Sequence, residues 1–232
     1  MGKFTSAVIL AAGTGSRFGG EIKKQYTGIG GEPCLVRTVS AFENCPLINE
    51  IVIVGAADEI KAVLSGYSFG KIHAIVSGGE TRRDSALCGF DAISDSSDYV
   101  AIHDGARCLV TPEMIEKTVK AAYKFRIAAA AHKSEDTVKV CDREGVVEDT
   151  ADREKIWLVQ TPQVFLSDIY RVAAYTAKKD GAAVTDDCMM CERLGFKVKM
   201  VECGRENIKL TVKDDLYLAE AVIESRKMRK IQ

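Results

Sequence analysis

Three short stretches place charged or hydrogen-bonding side chains directly after apolar runs, and all three suit the handling of phosphate. The first is Leu10-Ala-Ala-Gly-Thr-Gly-Ser-Arg-Phe-Gly-Gly20, followed by Lys23 and Lys24. A turn of small residues lets backbone N–H groups approach an anion closely. Arg17 adds a planar, permanently charged fork suited to phosphate oxygens, and Lys24 adds a compact cation. Two familiar phosphate loops do not fit. Phe18 stands where a dinucleotide fingerprint needs its third glycine, and no Gly-Lys pair is followed by Ser or Thr. The second stretch is Ser77-Gly-Gly-Glu-Thr-Arg-Arg-Asp-Ser85. Gly78 and Gly79 would let backbone come close to a flat ligand, and Ser85 could hydrogen-bond a base or phosphate from a helix start. The plainer alternative is a capped helix entry, with Thr81 or Asp84 as the cap. The third is His103-Asp-Gly-Ala-Arg107. An acid and an arginine past a buried strand suit either a metal or a sugar and a phosphate, or else they form a structural pair. Arg153, Thr185 and Lys209 are lone polar candidates. His73, His103 and His132 lack metal-ligand spacing, and His103 reads as structural. No nucleophile–base pair is visible.

The elements that must position these loops alternate. Ala7–Ala11, Ile51–Val54, Ile72–Val76 and Tyr99–His103 are short, apolar and rich in Val and Ile, as buried parallel strands are. Helical patterns cover Leu35–Phe42 and Asp84–Ile93. Another begins at Thr111-Pro112-Glu113, where a cap, a first-turn proline and an acid coincide. The expected fold is therefore α/β: a doubly wound, mostly parallel, Rossmann-like sheet, with ligands beyond the carboxyl ends of its strands. After Ala131 the pattern changes. Thr137–Cys141, a turn at Arg143-Glu144-Gly145 and Val146–Glu148 predict a charged hairpin within residues 134–160. It packs either on a partner subunit or as a flap on its own domain. Asp168–Lys178 and Asp186–Leu194 then read as helices, Lys197–Val201 as a strand, and Lys213–Met228 as the last helix. No domain boundary is visible apart from the arm, so 1–232 is expected to be a single domain.

Composition limits the partners. The chain has 232 residues, 47% hydrophobic and 28% charged, with a net charge of −1. No global field draws it to nucleic acid or membrane, so any basic function is local. No apolar run approaches the roughly 20 residues that span a bilayer, and the N-terminal apolar run reads as a strand, not a leader. A cytoplasmic protein is expected. Most of the eight cysteines sit among apolar neighbours, as reduced thiols do. Cys188-Met-Met-Cys191 has no second pair or nearby histidine for zinc, and reads as one wall of a helix.

The segments LAAGTGSRFGG, KKQY, GGETRRDS, IHDGAR, QTPQVF, GAAVTDD and ENIKLT occur here in that order. Together they resemble the 2-C-methyl-D-erythritol 4-phosphate cytidylyltransferase family, from about residue 7 to 220. The ribitol-5-phosphate cytidylyltransferases are similar and form the alternative; ENIKLT looks more like the methylerythritol branch. The resemblance implies attack of a sugar-alcohol phosphate on the α-phosphate of CTP, with Mg2+ as cofactor and no protein ligand assigned to it. It implies that Arg17 and Lys24 stabilise the transition state, and that Arg153 and Lys209 position the attacking phosphate. Asp104, Arg107, Thr137 and Thr185 would surround the sugar phosphate. Ala11, Ala12, Gly13, Gly15, Gly79, Glu80 and Ser85 would line the CTP pocket. It also implies a homodimer in which residues 134–160 swap, so that Thr137 and Arg153 serve the partner's site. Two positions depart from the common family pattern: Gly105 replaces alanine and Cys108 replaces proline. A nicotinamide-dependent oxidoreductase is the competing class, opposed by Phe18 and the basic first loop.

Overall fold

Thr5–Leu10 (β1) carries no charge and is buried on both faces, as a central parallel strand must be. Gly28–Ile29 (β2) and Glu32–Pro33 (β3) form a minimal hairpin that leads into Cys34–Glu43 (α1). Glu50–Val54 (β4), Ala57–Leu64 (α2), Ile72–Val76 (β5), Arg82–Phe90 (α3), Tyr99–Asp104 (β6) and Pro112–Phe125 (α4) continue the alternation. Ile127–Lys133 (β7) precedes a projecting hairpin, Lys139–Cys141 (β8) with Val147–Thr150 (β9). The chain returns as Trp157–Leu166 (β10), Ser167–Lys179 (α5), Asp187–Glu192 (α6), Lys199–Glu202 (β11) and Asp215–Ile231 (α7). These elements belong to a computed structural model that describes residues 2–13, Phe18 and 23–231, the last two in backbone only.

Among the described residues the main sheet has seven strands in the order β11-β7-β10-β6-β1-β4-β5. Four neighbour pairs are parallel, and β10 is antiparallel to both β6 and β7. The mostly parallel, doubly wound expectation therefore holds. Alternation along β1 explains why both faces are covered. Ala7 and Ile9 meet α1, α2 and α4 through Leu35, Phe42, Ile60, Ile115 and Val119. Val8 points the other way, into a layer built from Phe90 of α3, Tyr170 of α5 and Cys191 of α6. The register sets Leu10 level with Val54 on one side and Asp104 on the other. The chain moves outward from β1 through β4 to β5, then crosses back to β6. The reversal beside β1 opens the crevice in which such sheets bind ligands.

Sequence expectations and structure differ at identifiable places. Thr111 caps α4, accepting a hydrogen bond from the Met114 N–H at 3.3 Å with Pro112 in the first turn, as its sequence predicts. Thr81, not Asp84, is the N-cap of α3, which starts at Arg82. The strand expected at Lys197–Val201 is Lys199–Glu202. The arm turn falls at Gly145 with φ +85°, but its second strand is Val147–Thr150. Residues from Trp157 onward already belong to the main sheet, where Trp157 pairs with Lys133. The helix α2 and the strands β7 and β10 are not apparent in the sequence patterns. Cys188 and Cys191 are both buried against the sheet, where burial pushes their thiols up, so the pair is a helix wall as expected.

Close packing between α3 and the sheet rests on Gly89. A Cβ there would lie 2.3 Å from Val8 Cγ1 and 2.6 Å from Val54 Cγ2, both on fully buried side chains. Alanine would gain roughly 1 kcal/mol of helix propensity, but overpacking typically costs about 1–3 kcal/mol, and contacts this short favour the upper end. Gly89→Ala is expected to lower stability by a net ~1–2 kcal/mol, seen as a lower urea midpoint with an unchanged slope.

Candidate active site

The β1, β5 and β6 carboxyl ends meet over a cavity of about 460 Å3. Its wall contains Ala11, Ala12 and Gly13 after β1, and Gly79, Glu80 and Ser85 at the entry to α3. Asp104 ends β6, and Lys24 and Lys209 complete the charged lining. A second cavity of about 320 Å3 adjoins it, sharing Arg82, Asp104 and Lys209 and adding Arg107, Thr161 and Thr185. Most of the expected site residues therefore converge. Thr137 and Arg153 lie exposed on and beside the arm and line neither cavity; Arg153 Nη1 contacts the Glu135 carbonyl at 3.5 Å. Arg17 and Gly15 lie outside the described residues.

The first loop is held from below. Gln25, buried in the short helical turn Lys24–Tyr26, donates from Nε2 to the Ala11 carbonyl at 2.8 Å and to that of Gly13 at 2.9 Å. Those two bonds fix the backbone between them. Of the paired lysines, Lys23 turns away to Glu59 at 2.6 Å, while Lys24 lines the cavity.

The glycines of the second loop also have a packing role that the sequence reading does not contain. A Cβ on Gly78 would lie 2.5 Å from Ala12 Cβ, and one on Gly79 would lie 2.5 Å from Asp84 Cβ. Their missing side chains are required by the packing of the second loop against the first and against α3, and Gly79 also lines the cavity. Ser85 Oγ accepts from the Gly79 N–H at 3.1 Å, which closes this turn onto the helix.

Asp104 organises the charges. It is 7% exposed, and its Oδ1 accepts from Arg82 Nε at 3.0 Å while Oδ2 meets Lys209 Nζ at 2.8 Å. Burial works against its ionisation, but Arg82 and then Lys209 overcome it, leaving the carboxyl well below the usual range. Arg82 reaches on from Nη1 to Asp187 Oδ2 at 2.6 Å, and Asp187 also accepts from the Tyr170 hydroxyl at 3.1 Å. Burial opposes charge on Arg82 too, but Asp187 and Asp104 outweigh it and hold the guanidinium protonated. The structural pair that was the alternative reading of Asp104 and Arg107 is only a long contact, 3.9 Å. Arg107 instead donates from Nη1 to the Asn207 carbonyl at 2.8 Å, and its buried Nε has no hydrogen-bond partner among the described residues.

Beneath this cluster a neutral histidine links β6 to β10. The Asp104 N–H donates to Thr161 Oγ1 at 3.1 Å, so the Thr161 hydroxyl proton is available to His103 Nδ1 at 3.0 Å. That leaves His103 Nε2 as the N–H, facing the Arg107 carbonyl at 3.3 Å. Each ring nitrogen is satisfied only in this tautomer. Burial pulls the His103 pKa down to about 3, with Asp104 acting against it.

Metal chemistry was one alternative for Asp104. Among the described residues no three His, Cys, Asp or Glu side chains come together, and both Asp104 oxygens are engaged by cations. These side chains do not fit a protein-built magnesium site.

The sequence model of the 2-C-methyl-D-erythritol 4-phosphate cytidylyltransferase family (IspD) matches residues 5–225. The chain belongs to this family. Relatives of that name include a protein from Caldanaerobacter subterraneus subsp. tengcongensis, 41% identical over 219 residues, 93% of this chain and 96% of the relative. Another, from Clostridium acetobutylicum, is 40% identical over 96% of this chain and 99% of its own. Among solved structures, the 4-diphosphocytidyl-2C-methyl-D-erythritol synthase of Anaerococcus prevotii matches with a TM-score of 0.86 at 32% identity, covering 96% of each chain.

Sequence inspection of this family member misses Arg82, Gln25, Thr161 and Asn207 as site-building groups. Arg82 carries the clearest signal. It is the first residue of a helix, where the helix dipole disfavours a cation, so acids from elsewhere have to face it. His103 gives a pH test. Its unfolded value of 6.5 exceeds the folded value of about 3, so the unfolded chain takes up the proton first. Its contribution is complete above pH 6.5 and is lost as the pH falls towards 3. Between pH 6 and 5, above most carboxylate titrations, urea midpoints should show stability falling by up to about 1.4 kcal/mol per pH unit on this account. The slope should be shallower in His103→Gln, and equal slopes would remove His103 as the cause.

Proposed function

We propose that the two adjoining cavities are the nucleotide and acceptor sites of this chain, meeting at Asp104 and Lys209. The reaction is cytidylyl transfer from CTP to 2-C-methyl-D-erythritol 4-phosphate, which gives 4-diphosphocytidyl-2-C-methyl-D-erythritol and pyrophosphate in non-mevalonate isoprenoid biosynthesis. The chain is thus a nucleotidyltransferase. The observation that carries the site assignment is the placement of Lys24 and Lys209 on one cavity whose remaining wall is largely backbone and small side chains.

Physical chemistry explains why such a site needs no base. The attacking phosphate monoester is already an anion at neutral pH. The obstacle is bringing anion to anion and holding charge on a five-coordinate phosphorus, so positioning and fixed positive charge supply the catalysis. In this assignment Lys24, with Arg17, faces the triphosphate. Lys209 and Arg107 hold the incoming phosphate, and the unpartnered Nε of Arg107 supports that role. Asp104 and Thr185 border the sugar alcohol. Ala11, Ala12, Gly13, Gly15, Gly79, Glu80 and Ser85 shape the nucleotide pocket, where backbone and hydroxyl groups select cytosine by its amino edge. Magnesium, when bound, lowers the charge on the triphosphate. With no cage of side chains for it among the described residues, phosphate oxygens and water would be its ligands, in keeping with its habits.

The arm completes the assignment. Arg153 and Thr137 lie apart from their own chain's cavities, and Val140, Val146 and Val147 are exposed along the hairpin. A single hairpin is marginal in water. In the proposed homodimer the arms exchange, covering these valines and delivering Arg153 and Thr137 to the partner's acceptor site, within one domain spanning 1–232. The expected location is the cytoplasm; among the described residues no helix is long and apolar enough to cross a membrane.

Pyrophosphate release with CTP and either methylerythritol phosphate or ribitol 5-phosphate tests the function. Methylerythritol phosphate is expected to win, and a strong preference for ribitol phosphate would overturn the substrate. Lys24→Ala is expected to lower turnover by about 10²–10³, the usual loss for one transition-state donor; near-normal turnover would remove Lys24 from the mechanism. Arm exchange has its own test. Lys24→Ala and Arg153→Ala are each inactive alone, but mixed dimers hold one site with both residues intact, so subunit exchange should restore about a quarter of full activity in a two-fold assembly. No recovery after confirmed exchange would mean that Arg153 acts within its own chain or not at all.

A further inference from the structure

A third cavity, about 290 Å3, shares no residue with the two described above. It lies where Leu109 and Val110 meet α1 and α7, and Arg37 and Arg226 supply much of its charge. Glu32 and Lys227 also reach it. Both arginines are fixed. Arg37 donates from Nε to the Ile29 carbonyl at 2.7 Å, and Arg226 donates from Nη1 to the Leu109 carbonyl at 2.8 Å. Their acids lie at the edge: Glu32 is 3.5 Å from Arg37, and Glu206 is 2.8 Å from Arg226.

Cys108 lines this cavity while only 5% exposed. Behind it lies Cys34, the fully buried first residue of α1, packed with it in one small apolar cluster. Cys34 Sγ donates to the Gly105 carbonyl at 3.4 Å, which accepts from Thr38 Oγ1 at 3.2 Å as well, in the turn that leads to Cys108. Two thiols far apart in sequence are thus packed into one buried cluster, and one of them opens onto a small cationic cavity. Their charges divide accordingly. The neighbouring Cys108 thiol and burial push Cys34 up. The Cys34 thiol pulls Cys108 down against its burial, with Arg37 and Arg226 adding to the pull. Burial pushes up Cys45, Cys188, Cys191 and Cys203. Accessible, thiolate-prone cysteines beside a second thiol are the ones that peroxides oxidise selectively.

We propose that Cys108 is a peroxide-reactive thiol reached through this cavity, with Cys34 as its resolving partner, so that oxidation ties the start of α1 to the turn after β6. The Cys108 thiolate attacks one oxygen of hydrogen peroxide, the O–O bond breaks and hydroxide leaves, giving a sulfenic acid. Cys34 sulfur then attacks Cys108 Sγ as its proton is lost. The S–O bond breaks, water leaves and the disulfide forms. Two thiols give up two electrons and two protons, and one peroxide becomes two waters. Cys108 directly follows Arg107, so the bond pins the turn that carries Asp104 and Arg107. Transient disulfides of this kind are compatible with a reducing compartment.

The test uses the intact protein treated with hydrogen peroxide, followed by alkylation of free thiols and peptide mapping without reductant. A linked Cys34–Cys108 peptide is expected, with the loss of two alkylatable thiols, and both return after dithiothreitol. In Cys34→Ser, dimedone should label Cys108 as a trapped sulfenic acid. In Cys108→Ser, Cys34 should stay reduced. Should either variant fail to fold, the wild-type map still decides. The proposal is overturned if Cys34 and Cys108 both remain alkylatable at a dose that fully oxidises the exposed Cys141 of the arm, or if either is found linked to another cysteine.

Discussion

A carboxylate at the end of a central strand sets the terms for the whole site. Asp104 is almost completely buried, and an isolated carboxyl there would stay neutral. It ionises because Arg82 and Lys209 reach it from the start of α3 and from the segment after β11. The dependence runs in both directions. Two long cationic side chains lose freedom when held in place, and the buried anion offsets that cost. In the first cavity Lys24, Arg82 and Lys209 face Glu80 and Asp104. In the second, Arg82, Arg107 and Lys209 face Asp104 and Asp186. Each described wall keeps one more cation than anion. Behind the walls Asp187 balances Arg82, so the cluster is held together without ligand and its cations are fixed on the cavity walls in advance, which is the condition for pre-organised phosphate binding.

The antiparallel strand β10 makes that cluster possible. Its pairing with β7 shifts register between Val159 and Gln163, and Thr161 falls inside the break. There the Thr161 hydroxyl accepts from the Asp104 backbone and satisfies His103. The same break leaves the Thr161 carbonyl to Asn207, which donates to it at 2.8 Å, and Asn207 in turn gives its own carbonyl to Arg107. Gln163, just past the break, accepts from the N–H groups of Asp187 and Cys188 at the start of α6. Asp187 then anchors Arg82. One irregularity in one strand thus supports two of the three cations around Asp104.

These relations explain what was legible in the sequence. The strands β1, β4, β5 and β6 are Val- and Ile-rich runs that end in polar loops, and the rule that ligands gather at such ends points to the two cavities proposed as the site. The strand β7 was hidden because Ala128–Ala131 is an alanine run, a composition that favours helix in isolation. Its small side chains fit a position buried on both faces beside β10. The strand β10 was hidden because Pro162 interrupts it, and proline within a strand normally argues against one. The partners of Asp104 could not be read locally, since Arg82 and Lys209 lie far from it in sequence and Arg107, the near neighbour, is the one held off. Gly78 and Gly79 were visible, but their packing role was not, because a glycine admits another part of the protein as readily as a ligand.

The arm raises the last physical question. Every residue of β8 and β9 is exposed, and each strand holds one valine beside a charged residue. Such a hairpin lacks the apolar burial to keep its own shape, yet it is tied at the tip by Asp142, whose Oδ1 accepts from the N–H groups of Glu144 and Val146. A tip stiffened in this way keeps the hairpin pre-formed at little entropic cost when another surface covers its valines. Arg153 sits at the arm's return, capped into a short helical turn by Asp152, with its side chain exposed. A solvent-facing arginine contributes little to the stability of its own chain. Its place at the root of a stiffened, uncovered hairpin is better matched to a role across an interface, where the exposed charge and the exposed valines would be buried together.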